Sequence, residues 1–229
     1  MTPTPQPHSP YAAPQTPADA ARALLLDHYD SFTWNLANLL VMAGLRLDVR
    51  QYNDPGQAEL DLSAYACLVL SPGPGAPQDY PQTHQLLDRW ETLPHAPLPV
   101  LGVCLGSQLL AERLGAATQR CAEPVHGKVH ALTLAQHPLF ARLPQPLPVT
   151  RYHSLYTPAP YPSGLEPLAW TEDQLLMAFE APSRRYVGIQ FHPEAVLTQG
   201  GQQLLVNWLK LNGLAQSGQE RGLDFSSIA

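Results

Sequence analysis

The sequence has few charged residues, no cluster of basic residues and no long apolar run. Asp, Glu, Lys and Arg make up 14% of the 229 residues, and the net charge is −6, whereas average proteins carry about 25% charged residues. A weakly acidic chain without a basic patch argues against nucleic acid or an anionic membrane surface as the main partner. No apolar stretch approaches the roughly 20 residues of a membrane span, and the N-terminus lacks the pattern of a secretory signal. We therefore expect a cytoplasmic protein that binds neither nucleic acid nor a membrane.

Cysteine is also scarce. The three cysteines, Cys67, Cys104 and Cys121, are odd in number, and no two of them have CxxC spacing. This pattern indicates a reducing compartment and argues against a disulfide framework or a zinc site. Apolar residues, by contrast, make up 45% of the sequence, and proline occurs 25 times. A chain of this length and composition is large enough to bury a core, in one large domain or two small ones.

The two ends of the chain differ from its middle. Residues 1–20 contain prolines at six positions and one charged residue, Asp19. Such a segment buries too little apolar surface to offset the entropy of ordering, so we predict a disordered tail over 1–20. Residues 214–229 show weak periodicity, and we predict a weakly ordered C-terminal tail there. The domain itself is predicted to span 21–213.

Apolar runs and helical patterns predict an α/β fold. The runs at 23–26, 47–52, 67–70 and 98–103 have the length of strands, and helical patterns follow the first, third and fourth of them. Such repeated units predict an open, mostly parallel, flavodoxin-like sheet with helices on both faces. After about residue 118, apolar stretches separated by turns predict antiparallel strands attached to one side of the sheet. These stretches are 129–134, 165–170, 175–179 and 186–191, and a last helix is predicted over 202–211.

Cys104 lies where an apolar run changes into a helical pattern, with Gly102 and Gly106 two residues to either side. A nucleophile on such an elbow has a strained backbone, and flanking glycines remove the clashes that larger residues would cause. The amides that open the following helix can stabilise an oxyanion and favour a thiolate. A free cysteine is more often a small buried apolar residue. The elbow alone leaves both interpretations open.

Two further segments are predicted at the same edge of the sheet, where the parallel strands end. The loop Ser-Pro-Gly-Pro-Gly at 71–75 can point its glycine amides at a ligand, or it can be an ordinary rigid turn. His192 directly follows a predicted strand, and Glu194 can orient its ring, although a capped strand end beside a chance acid has the same pattern. Together with Cys104, this pair forms the set of a cysteine hydrolase. A metal site is disfavoured, because no other histidine or acid has ligand spacing nearby.

Several separated motifs carry a resemblance to a known family. They are LDHYDSFT at 26–33, SPGPG at 71–75, GVCLGSQ at 102–108, HGK at 126–128, RYHSL at 151–155 and GIQFHPE at 188–194. In their joint order the chain resembles the class I, triad-type glutamine amidotransferases from about residue 24 to 211. Within that family it is similar to the glutaminase subunits of anthranilate synthase and of aminodeoxychorismate synthase. It departs from the usual family pattern at Ser107, Ala195 and His28, where His, Ser and Asn are frequent.

The resemblance implies a role for each matching residue. Cys104 would attack the side-chain amide of glutamine, His192 would act as base and then acid, and Glu194 would orient His192. The residues implied in binding glutamine and its oxyanion are Gly73, Pro74, Gly75, Leu105, Gln108, Ser154 and Leu155. The HGK motif and the loop 29–31 resemble family features near the partner subunit.

The resemblance also implies a partner and a pathway. Ammonia would pass to a chorismate-utilising synthase subunit, with no cofactor in this subunit and magnesium on the partner. The tryptophan pathway, through anthranilate synthase, is our first prediction; the folate pathway, or service to both, is the alternative. A stand-alone triad hydrolase and an inactive regulatory subunit remain as rival interpretations.

Overall fold

The computed structural model describes residues 20–215. The predicted tails therefore lie almost entirely outside the described residues. Of the residues assigned to them, Ala20 is buried, and Leu214 and Ala215 pack against the core.

Nine strands in this part of the chain form one sheet, in the order β2-β1-β3-β4-β9-β8-β7-β5-β6. Five of them, β2, β1, β3, β4 and β9, are parallel to one another. The pairs from β9 to β6 are antiparallel. The strands are β1 Arg22–Asp27, β2 Arg46–Gln51, β3 Cys67–Leu70, β4 Val100–Val103, β5 Gln119–Leu134, β6 Leu147–Tyr156, β7 Glu166–Trp170, β8 Leu176–Ala181 and β9 Tyr186–Ile189.

Four α-helices within residues 20–215 cover the two faces of the sheet. They are α1 Thr33–Met42, α2 Pro81–Glu91, α3 Leu105–Arg113 and α4 Gly201–Leu211. Helices α1 and α4 pack on one core, centred on the sheet residues Leu25, Val69 and Leu101. Helices α2 and α3 pack on a second core, against Leu24 and Leu68. Alternate side chains of a strand point to opposite faces, so neighbouring leucines of β1 feed both cores.

This architecture confirms the predicted α/β fold class with an antiparallel extension, and it corrects one strand. The run 186–191 was predicted as part of the antiparallel extension, but β9 lies parallel to β4 and antiparallel only to β8. It is the strand at which the two halves of the sheet join. Strand β6 was not predicted, because its buried side chains include the polar residues Thr150, Arg151 and His153. None of the helices described has the length and apolar character of a membrane-spanning segment.

Candidate active site

Cys104 occupies the tight turn between β4 and α3. Its backbone has φ 53° and ψ −104°, a region that residues with a side chain rarely adopt. The Cys104 N–H donates to the Ile189 carbonyl at 2.7 Å, which fixes the turn against the end of β9. The side chain is 6% exposed. The elbow therefore holds a strained cysteine at the carboxyl edge of the parallel strands.

The two glycines that flank the elbow are required by close backbone contacts. A Cβ atom on Gly102 would overlap the carbonyl of Gly106, and one on Gly106 would overlap the carbonyl of Leu70. Any side chain there would push α3 away from β3 and β4. The glycine spacing seen in the sequence thus has the steric cause expected of it.

His192 and Glu194 form a buried pair just beyond β9. The ring Nδ1 lies 2.6 Å from a carboxylate oxygen of Glu194, and both side chains are almost inaccessible to solvent. The other ring nitrogen, Nε2, is buried and has no hydrogen-bond partner within residues 20–215. Burial lowers the pKa of His192, but Cys104 and Glu194 together have the larger, opposite effect, so that the pKa is raised to about 10. The ring is therefore held by its Nδ1 edge and has Nε2 available to the thiol.

Strand β6 fixes the position of His192. The His192 N–H donates to the Thr150 carbonyl at 3.1 Å. The hydroxyl of Thr198 accepts the Thr150 N–H at 2.9 Å and donates to the His192 carbonyl at 2.7 Å. The ring of Tyr152 packs edge-on against the imidazole, with centroids 5.3 Å apart. No contact of Thr150, Tyr152 or Thr198 with His192 was predicted, because strand β6, which carries the first two, was not predicted.

Gln190 and Gln108 connect the thiol to the neighbouring backbone. The Gln190 amide nitrogen lies 3.7 Å from the Cys104 sulfur. The Gln108 amide donates to the Gln190 side-chain oxygen at 3.0 Å and to the Leu155 carbonyl at 3.1 Å. Gln108 and Leu155 were both predicted near glutamine, and the structure places them together. Gln190 was missed, although its position two residues before His192 in the GIQFHPE motif was a usable signal.

The loop with Gly73, Pro74 and Gly75 lies against the start of α3. A Cβ atom on Gly73 would come within 2.6 Å of side-chain atoms of Leu105 and His28, so the loop touches both. Neither the Gly73 nor the Leu105 N–H donates to a backbone carbonyl in the described part of the chain. The two residues predicted to donate to the oxyanion are therefore close together, and neither N–H has a backbone partner among the described residues.

Two hydrogen-bond contacts anchor this loop. The Tyr80 hydroxyl donates to the Pro74 carbonyl at 2.6 Å, and the ring of His28 lies 3.1 Å from the hydroxyl of Ser71.

The remaining predicted residue, Ser154, is half-buried on β6. Ser107, one of the departures from the family pattern, is buried, and its hydroxyl packs against Gly188 of β9.

The other two cysteines are placed differently from Cys104. Cys67 is fully buried in β3, and burial raises the pKa of its thiol to about 12. Cys121 is buried on β5, 3.8 Å from the ring of His153. Among the described residues, no group of three or more His, Cys, Asp or Glu side chains could hold a metal ion. Only Cys104 combines an elbow, a histidine with an available nitrogen and adjacent backbone donors, which is an arrangement capable of covalent acyl transfer.

Comparisons with known proteins agree with this geometry. The family model for class I glutamine amidotransferases matches residues 24–211. Component 2 of aminodeoxychorismate synthase from Escherichia coli is 36% identical over 187 residues, which are 81% of this chain and 98% of that protein. The pyocyanine-specific component 2 of anthranilate synthase from Pseudomonas aeruginosa is 43% identical over 192 residues, which are 82% and 92% of the two chains.

A longer relative and a solved structure are also similar to this chain. An aminodeoxychorismate synthase from Streptomyces griseus is 44% identical over 191 residues; these are 83% of this chain but only 26% of that protein. The solved structure of a glutamine amidotransferase from Thermotoga maritima shares the fold, with a TM-score of 0.63 at 22% identity over 83% of this chain and 81% of that one. Because the family model spans nearly all of the described residues and relatives of similar length match almost end to end, this chain belongs to the class I glutamine amidotransferases.

Proposed function

We propose that this chain is the glutaminase subunit of a chorismate-aminating synthase and that Cys104 is its nucleophile. The observation that carries the proposal is the strained Cys104 elbow facing the buried His192–Glu194 pair. Relatives of similar length carry the names of component 2 subunits. We propose anthranilate synthase as the complex that it serves, with aminodeoxychorismate synthase as the alternative, because relatives bear both names.

The first half of the proposed reaction forms a thioester. His192 takes the thiol proton of Cys104 through Nε2 and so generates the attacking thiolate, and the raised pKa of His192 favours this transfer. The thiolate adds to the side-chain amide carbon of glutamine, and the oxyanion accepts hydrogen bonds from the Gly73 and Leu105 amides. His192 then gives its proton to the leaving nitrogen, so that the C–N bond breaks and ammonia departs. The product is a γ-glutamyl thioester on Cys104.

The second half of the proposed reaction hydrolyses the thioester and restores the free enzyme. His192, now neutral, takes a proton from water, and the hydroxide formed adds to the thioester carbon. Collapse breaks the C–S bond, releases glutamate and returns the proton to the cysteine–histidine pair. Glu194 holds the Nδ1 side of the ring throughout, so that Nε2 faces the reacting atoms. We propose that the ammonia passes directly to the synthase subunit, that this subunit needs no cofactor, and that magnesium belongs to the partner.

The test of the catalytic assignment is glutamine hydrolysis by variants, with and without the synthase subunit. Cys104→Ser and His192→Ala are expected to lose glutamine-dependent activity, by roughly a thousandfold or more. Cys67→Ala, a cysteine change in the core, should keep turnover and lose only stability. Ammonia release at the wild-type rate by Cys104→Ser would overturn the assignment, as would labelling of Cys67 by a glutamine-analogue alkylator.

Reconstitution separates the remaining candidate functions. The chain is combined with anthranilate-forming or aminodeoxychorismate-forming synthase subunits, and product formation from chorismate and glutamine is measured. We expect anthranilate, and a glutaminase rate that rises when the partner binds. Full glutaminase activity without any partner would instead identify a stand-alone hydrolase, and no hydrolysis in either complex would identify an inactive regulatory subunit.

A further inference from the structure

A cavity lies on the side of β6 that faces away from Cys104. Its volume is about 660 Å³, and it is bounded by the β5–β6 hairpin and residues 171–175. None of the residues proposed to bind glutamine or to act on it lines this cavity. On β6, Tyr152 packs on His192 whereas its neighbour Arg151 lines the cavity. The backbone of β6 is therefore the common wall of two separate sites.

Arg151 places a positive charge at the bottom of this cavity. The residue is only 2% exposed, and its Nε donates to the His153 ring at 2.9 Å. No carboxylate among residues 20–215 forms a salt bridge with it. A guanidinium stays charged, and burying a charge without a partner costs several kcal/mol in general. An anionic group bound in the cavity beside Arg151 would supply the missing partner for this charge.

Charges of both signs line the same cavity, with carboxylates in excess. Asp173 is exposed and lies close enough to raise the pKa of Arg151 against the larger lowering effect of burial, yet the two side chains are not in contact. Glu123, Glu172 and the cation Lys128 also line the cavity, so three carboxylates face two positive charges there. These carboxylates would repel a simple anion, and Arg151 would repel a simple cation. The charges fit a ligand that bears both signs close together.

The lining of this cavity also includes a histidine that has one unpaired ring nitrogen. His130 lies in its wall, and the ring Nδ1 of His130 is buried without a hydrogen-bond partner within residues 20–215. Buried polar atoms are nearly always paired, with protein or with a bound molecule. A volume of this size falls within the range of small-molecule sites.

We propose that this cavity is a binding site for a free α-amino acid, with the ligand carboxylate on Arg151 and the ligand ammonium near Asp173. The site is distinct from the glutamine site and does not depend on the proposed reaction.

The experiment is calorimetric titration of the full chain after Cys104 has been blocked with an alkylating agent. The probes are L-phenylalanine, L-leucine, L-lysine and L-glutamate, each at millimolar concentration. For any probe that binds, the matched amine without the carboxylate and the matched acid without the ammonium are titrated next. We expect at least one amino acid to bind, and both truncated analogues to bind at least tenfold more weakly.

Variants locate the binding. Asp173→Asn, at the exposed rim, is expected to weaken binding at least tenfold with an unchanged melting temperature, and Arg151→Met is expected to abolish it. Glu59→Gln, an exposed acid outside the cavity, is the matched control and should bind as the wild type does. Arg151→Met changes a buried residue and can impair folding. If the Arg151→Met protein is unstable, the result with Asp173→Asn alone tests the proposal.

Several results would overturn the proposal. One is the absence of binding heat with all four amino acids, and another is equal binding by wild type and Asp173→Asn. Tighter binding of inorganic phosphate than of any amino acid would replace the zwitterion with an anion. If Arg151→Met weakened binding of the synthase subunit while no amino acid bound the wild type, the occupant would be a partner side chain.

Discussion

At the scale of single residues, His28 shows how one departure from the family pattern is accommodated. Its ring is fully buried between the hydroxyls of Ser71 and Thr83, at 3.1 and 3.0 Å. Burial lowers the pKa of His28 to about 3, against a smaller raising effect of Ser71. The ring therefore stays neutral at physiological pH, as the amide of an asparagine would, and it supports the loop that carries Gly73.

We predict that His28 makes the protein less stable in acid. The folded pKa of about 3 lies below the ordinary value of 6.5, so between these pH values the unfolded chain binds more protons. The stabilisation is complete above about pH 6.5 and falls by up to about 1.4 kcal/mol per pH unit as the pH drops towards 3. Urea unfolding at pH 7 and pH 5 should show that His28→Asn loses about 2 kcal/mol less than wild type. His95→Asn, at an exposed site, should keep the wild-type difference; the same difference in His28→Asn would refute the prediction.

Gln190 leads to a second prediction at this scale. Its amide is a hydrogen-bond donor to the Cys104 sulfur, and its oxygen satisfies the Gln108 amide. Gln190→Leu removes both contacts, and hydrogen bonds to charged groups contribute about 1.5–3 kcal/mol. We expect kcat for glutamine hydrolysis to fall about tenfold or more, and iodoacetamide to alkylate Cys104 more slowly at pH 7. Gln199→Leu, an exposed glutamine nearby in the sequence, is the control, and alkylation at the wild-type rate in Gln190→Leu would contradict this role.

At the scale of elements, the turn between β4 and α3 holds Cys104 in a strained backbone conformation. The positive φ of Cys104 costs about 1–3 kcal/mol for a residue with a Cβ atom, but little for glycine. We therefore predict that Cys104→Gly is more stable than Cys104→Ala by about 1 kcal/mol, although both lack the nucleophile. Urea unfolding of the two variants measures the difference. A Cys104→Ala protein as stable as Cys104→Gly would show that the turn is not strained.

The same scale shows what the sequence can and cannot predict. Strands β1, β3 and β4 are continuous apolar runs because both faces of the parallel sheet are covered, so their pattern was readable. Strand β6 could not be predicted from its pattern, because it buries Arg151 and His153. Its place is set by pairing with β5, which lies 28 residues earlier at the Val125–His153 pair. The placement of Cys104, His192 and the loop 71–75 at one edge of the sheet was predictable from local motifs, and their catalytic roles stay predictions. The contacts from Thr150 and Tyr152 were not, because they depend on long-range pairing.

At the scale of the whole molecule, exposed apolar residues lie beside the proposed catalytic pair. Val196 is 97% exposed and Leu197 is 61% exposed, two and three residues after Glu194. In the proposed complex, a synthase subunit that receives ammonia would cover this edge of the sheet. Burial of such side chains contributes about 1.5–3 kcal/mol each. We infer that both residues are covered in the complex.

We predict that a Val196→Ser, Leu197→Ser double variant binds the synthase subunit at least about tenfold more weakly, since about 1.4 kcal/mol corresponds to each factor of ten. Sedimentation or calorimetric titration of the two subunits measures this. Leu211→Ser is the control, because Leu211 is also exposed but lies at the end of α4, beside Asn212, which bonds Arg185 at the opposite edge of the sheet. Equal weakening by the control would refute a specific docking role.

The position of β9 in the sheet has a consequence for synthesis of the protein. This strand is among the last parts of the described chain to leave the ribosome, yet it fills the centre of the sheet, between β4 and β8. Until residues 186–194 have emerged, β4 has an unpaired edge, the Cys104 turn lacks its bond to Ile189, and His192 does not exist. A nascent chain therefore cannot hydrolyse glutamine before the fold is nearly complete. The order of the strands therefore ties the assembly of the proposed site to near-completion of the sheet, and it leaves the edge of β4 unpaired until then.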